Sequence, residues 1–140
     1  MAAPELRMLT ALCRLRRIET DAARRALGAA LAEETALAKR ATEIGAELGA
    51  ARRMAGEFDR EAFAAWFGRM RADRAHLEEA LRAAEAHTAA AQSHLAQSRV
   101  AETAAGDALA AAKARRDAAM ARGDQLVLED VARALRQTGA

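Results

Sequence analysis

The chain has 140 residues, and 43 of them are alanine; without alanine only 30 apolar residues remain, half of them leucine. Three valines, two isoleucines, four aromatic rings and one proline are too few for strands and their turns, which excludes an all-β fold and disfavours an α/β one. Alanine also buries too little area for a globular core, and a net charge of +2 with the signs interspersed describes solvated helices, not a basic polymer.

Pro4 suits a first helical turn, with Glu5 on the favourable side of the dipole. From there a three-four spacing runs through Leu6, Leu9, Cys13, Arg16, Thr20, Ala23, Leu27, Ala30, Glu34, Leu37, Ala41, Ile44, Leu48, Ala51, Ala55 and Phe58. Leu12, Leu15, Ile18 and Leu31 would widen this stripe, while Gly28, Gly45 and Gly49 would weaken the helix locally without ending it. A seven-residue apolar repeat of this persistence predicts a coiled coil, with helix one over residues 4–56.

The turn is expected at 56–60. Asp59 would cap the next helix, with Glu61 in its first turn and Phe58 and Phe63 at the spacing of a hydrophobic staple. Helix two, over 60–136, carries a second register: Phe63, Phe67, Met70, Arg74, Leu77, Leu81, Ala84, Thr88, Ala91, Leu95, Ser98, Glu102, Ala105, Leu109, Ala112, Arg116 and Ala119. Ser98 and Glu102 mark an expected weak or shifted stretch, and Gly123-Asp124 an expected fray or reset before the patch Leu126, Val127, Leu128, Val131 and Leu135. Glu78–Arg82, Asp21–Arg25 and Glu129–Arg133 have favourable acid-before-base spacing, and residues 137–140 are expected to be disordered. The fold class is therefore all-α: an antiparallel two-helix coiled-coil hairpin, with an alanine-lined seam that draws the helix axes close.

The same residues argue against catalysis. A two-helix hairpin offers no concave pocket, Ser93 and Ser98 lie on no strained turn, and the eight glycines form no phosphate-binding loop. His76, His87 and His94 lack zinc-ligand spacing and read as surface residues. Cys13 reads as a small core residue with no disulfide partner. No cofactor, metal, small-molecule substrate or nucleic acid is expected, because the basic segment with Arg14, Arg16 and Arg17 has no groove-entering motif or interleaved aromatics. With no apolar window of membrane-spanning length and no signal peptide, the expected location is cytoplasmic. Three places suit partners: that basic segment, the aromatic cluster Phe63, Trp66, Phe67 and Met70, and the patch Leu126 to Leu135, where Leu126, Val127 and Leu128 in a row cannot all face one seam. Trp66 stands one residue off the seam register.

Three stretches carry a resemblance. Leu12-Cys13-Arg14-Leu15-Arg16-Arg17-Ile18-Glu19, Phe63-Ala64-Ala65-Trp66 followed by Leu77-Glu78-Glu79-Ala80-Leu81, and Lys113-Ala114-Arg115-Arg116-Asp117-Ala118-Ala119-Met120 before Gln125-Leu126-Val127-Leu128-Glu129-Asp130-Val131-Ala132 stand in order along the chain. Together they resemble the FliJ family of flagellar type III export proteins and its YscO-type injectisome relatives. The resemblance implies a non-enzymatic stalk or chaperone-type component of the export apparatus. Its partners would be the export ATPase hexamer, the cytoplasmic domain of the export gate and export chaperones, and it would reach the inner membrane only through them. On that footing Arg14, Arg16, Arg17, Leu126, Leu128 and Val131 are candidate contacts for the ATPase. Phe63, Trp66, Phe67 and Met70 are candidate contacts for the gate. The alternative is a coiled-coil scaffold or dimerising protein outside type III secretion.

Overall fold

The computed structural model describes residues 2–139, which form two long helices and a short link. Helix α1 spans Ala2–Arg53, a 3-10 turn spans Ala55–Glu57 and helix α2 spans Arg60–Thr138; the described residues contain no strand. The two helices pack against each other as an all-α hairpin.

The link is built as its residues dictate. Asp59 precedes α2, its carbonyl accepting from the Phe63 N–H at 2.8 Å and its carboxylate from the Glu61 N–H at 3.4 Å. The staple is present, with the Phe58 and Phe63 rings stacked at 5.9 Å between centroids.

The chain divides into two compact units, each containing part of both helices. In the unit Asp21–Gln97, the buried residues are Ala23, Ala30, Ile44, Leu48, Ala84, Thr88 and Leu95. In the other, formed by the described residues up to Thr20 and from Ser98 onward, they are Thr20, Ser98, Ala105 and Ala112. Every buried residue falls on one of the two expected registers. From Phe63 to Ala112 only Arg74 of the second register is exposed. The seam is therefore one small side chain deep over much of its course, and its few larger members (Ile44, Leu48, Leu95) supply most of the apolar area per residue.

Several expectations are corrected. Leu15, Ile18 and Leu31 do not widen the seam: they are 49%, 63% and 44% exposed, because a seam between only two helices covers a narrower stripe than a globular core does. Phe58 leaves the seam for the same reason that it staples, since its backbone lies outside the helix. No shift occurs at Ser98: the Thr20 hydroxyl is shared between the Arg16 carbonyl at 2.9 Å and the Ser98 carbonyl at 3.3 Å, and Glu102 faces Arg17 at 4.0 Å. The polar layer is satisfied across the seam, so the register passes through it. Helix α2 also passes through Gly123-Asp124 unbroken and runs to Thr138, where residues 137 and 138 are helical; Ala140 lies outside the described residues. Among the described residues the ion pairs favour other partners, Arg74–Glu78, Arg24–Asp21 and Arg133–Asp130, over the three expected. All are solvent-facing, the kind that contribute between about 0 and 1 kcal/mol each.

Candidate partner-binding surfaces

In the unit that holds both helix ends, Glu5 of α1 pairs with Arg115 of α2 at 3.1 Å. At about 1.5 Å per residue, the described part of α1 reaches along α2 to roughly residue 118. Helix α2 does not stop there. Every residue from 113 to 139 is exposed, including Met120, Leu126, Val127, Leu128, Val131 and Leu135 at 51–65%. Taking 100° per residue, Met120, Val127, Leu128, Val131 and Leu135 share one face and Leu126 stands on another. Of the three candidate aliphatic contacts, Leu128 and Val131 thus share a stripe that Leu126 does not join.

The three candidate arginines have different surroundings. Arg16 is half-buried and held by Glu19 at 2.9 Å. Arg17 faces Glu102, and Arg14 lies in a shallow groove of about 370 Å³ that it lines with Leu6, Arg7, Thr10, Ala11, Lys113 and Arg116. The structure therefore joins Arg14 to Arg7, Lys113 and Arg116 in a four-cation groove, and does not join it to the aliphatic stripe further along α2. Arg7 and Arg14 stand seven residues apart, so their shared face is readable in the sequence. The approach of Lys113 and Arg116 depends on cross-helix pairing, which no local spacing reports.

In the unit Asp21–Gln97, the aromatic residues form one continuous cluster centred on Phe63. Its ring lies 5.6 Å from Phe67, 5.9 Å from Phe58 and 6.1 Å from Trp66, distances at which aromatic pairs attract. Phe63, Trp66, Phe67 and Met70 are all half-buried. Trp66, off the seam register, instead lines an apolar groove of about 570 Å³ with Phe58, Phe63, Met54, Ala50, Ala51 and Ala62, flanked by Glu47 and Asp59. Met54 and Phe58 are 47% and 52% exposed; register reasoning misses Met54 and places Phe58 on the seam instead of in this groove.

Other groups stand apart from these surfaces. Cys13 is half-buried on the seam, and His76, His87 and His94 are exposed. Among the described residues no three His, Cys, Asp or Glu side chains gather as a metal site would require, and no helix is long and apolar enough to cross a membrane. Comparison with protein-family models, with curated proteins and with solved structures gives no match.

Proposed function

We propose that the protein is a non-enzymatic stalk component of a type III protein export apparatus, cytoplasmic and held at the inner membrane through its partners. The observation that carries this reading is the exposed stretch of α2 beyond residue 112. A helical stretch of more than twenty residues that stays exposed among the described residues, yet bears Leu128, Val131 and Leu135 on one stripe, has apolar surface to bury against something else. An amphipathic helix of this kind suits a partner's groove, and the four-cation groove around Arg14 suits an acidic rim beside it. On the resemblance to FliJ-type proteins, that partner would be the export ATPase hexamer, and the Phe63, Trp66, Phe67 and Met70 cluster would meet the export gate, with chaperones as further clients.

The test is co-purification with the export ATPase of the same genome and assay of its ATP hydrolysis. The full chain should bind the ATPase and raise its turnover. Leu128→Asp with Val131→Asp should remove that effect with an unchanged circular-dichroism spectrum, since both positions are exposed. If the unaltered chain neither binds nor stimulates, the export reading falls. The same exposed stripe also favours the scaffold reading, in which two copies pair through it. Light scattering separates the two, because that pairing doubles the mass of the isolated protein.

A further inference from the structure

A second recess in the unit Asp21–Gln97, a half-open groove of about 380 Å³, has Gly45, Gly49, Arg52, Phe67, Arg71 and Arg74 among its walls. Those three cations and one carboxylate, Glu78, face it. Glu78 is engaged by Arg74, Nε to Oε1 at 3.1 Å. Arg52 and Arg71 have no acidic partner among the ion pairs of the described residues. Both instead lie over the Phe67 ring, their Cζ atoms 5.4 and 6.0 Å from its centroid. A cation–π contact of this kind holds a guanidinium near the ring without using its N–H donors on an acid, so they remain available to an oxyanion.

Gly45 and Gly49 form part of the floor, one helical turn apart on α1. Glycine weakens a helix interior, and neither backbone angles nor crowding require it here. No glycine has positive φ among the described residues. A Cβ at Gly45 would come no closer than 4.0 Å to Arg74 Cζ, and one at Gly49 no closer than 3.8 Å to Arg53 Nη1. Alanine would fit at both positions. What glycine does is keep the floor of the recess bare beneath the three arginines.

We infer that this recess binds an acidic peptide segment of a partner protein, with carboxylates at helical i, i+4 spacing reaching Arg52, Arg71 and Arg74. The recess is elongated: Gly45 to Arg52 is seven residues, about 10 Å of helix, and carboxylates one turn apart need about 5–6 Å. A nucleotide suits it poorly, because Arg52 and Arg71 already lie over the Phe67 ring where a base would stack. A compact phosphate is poorly served as well. The amides of the lining helices are used within the helices, so no backbone nest exists to wrap it. The inference does not depend on the export reading.

The probe is a fluorescein-labelled helical peptide with two Glu pairs at i, i+4 spacing, titrated with the full chain at low salt and read by anisotropy. The same peptide with Gln at those positions is the control. Binding should require the Glu peptide and weaken as salt rises. Arg52→Gln and Arg71→Gln should each weaken it about three- to fivefold, as loss of a solvent-facing ion pair does. Gly49→Leu should reduce it at least as far by filling the recess; if that variant misfolds by circular dichroism, the two exposed arginine variants decide alone. Arg24→Gln with Arg25→Gln, distant on α1, should leave affinity unchanged. The inference is overturned by no binding, by equal binding of the Gln peptide, or by an equal loss in the Arg24/Arg25 variant. Displacement by inorganic pyrophosphate at concentrations below those of the peptide itself would overturn it too.

Discussion

Seven threonines lie in the helices, and five of them have fates that differ at a single hydrogen bond. The hydroxyls of Thr10, Thr20, Thr42 and Thr138 each donate to the carbonyl four residues back, at 2.7–3.1 Å, the usual accommodation of a helical threonine. Thr88 is 5% exposed, and its hydroxyl has no partner. A buried hydroxyl left unpaired costs about 1–3 kcal/mol, whereas valine has the same shape and no such group. Thr88→Val should therefore stabilise the hairpin by about 1 kcal/mol, seen in thermal melts as a midpoint raised by about 4 °C. An unchanged or lowered midpoint would mean that the hydroxyl is served by water. Sequence places Thr88 on the seam, but whether its hydroxyl finds a carbonyl is a rotamer matter that no spacing reports.

Among elements, the two registers are legible because the period of an apolar stripe is a property of the chain alone. The turn is legible through Asp59 and the Phe58–Phe63 pair, whose chemistry is local. The width of the stripe is not. Leu15 and Ile18 are leucine and isoleucine beside a seam, and only the count of neighbouring helices decides that they face water. Gly123 misleads from the opposite side, since a glycine lowers helix stability without setting where a helix ends. It stands in a stretch of α2 with no tertiary support, where intrinsic propensity weighs most. Gly123→Ala should stabilise that stretch by about 1 kcal/mol, slowing amide hydrogen exchange over residues 119–130 about fivefold while leaving the melting midpoint of the hairpin in place. Equal slowing throughout α2 would show that the stretch is not independent.

At the scale of the whole molecule, the buried seam and the candidate aliphatic contacts occupy different parts of α2. The buried positions all lie between Thr20 and Ala112, and the candidate aliphatic contacts all lie beyond. A chain ending at residue 118 should thus retain the midpoint of the full chain within about 2 °C, since the removed surface contributes no tertiary burial, and, on the proposed export reading, should no longer co-purify with the export ATPase. A large fall in the midpoint would show that residues 119–139 support the hairpin. The candidate sites are only partly legible for the same reason: Trp66 and Arg14 stand out in the sequence, but Met54 and Lys113, which complete their surfaces, reach them across the seam. That pairing also bears on how the chain reaches its structure. Phe58 meets Phe63 five residues away, Thr20 meets Ser98 across 78 and Glu5 meets Arg115 across 110. Closing the longer loops first costs more chain entropy than closing them after shorter ones are in place. Loop closure therefore favours pairing that starts at the aromatic link and zips outward, so that Thr20 meets Ser98 before Glu5 meets Arg115.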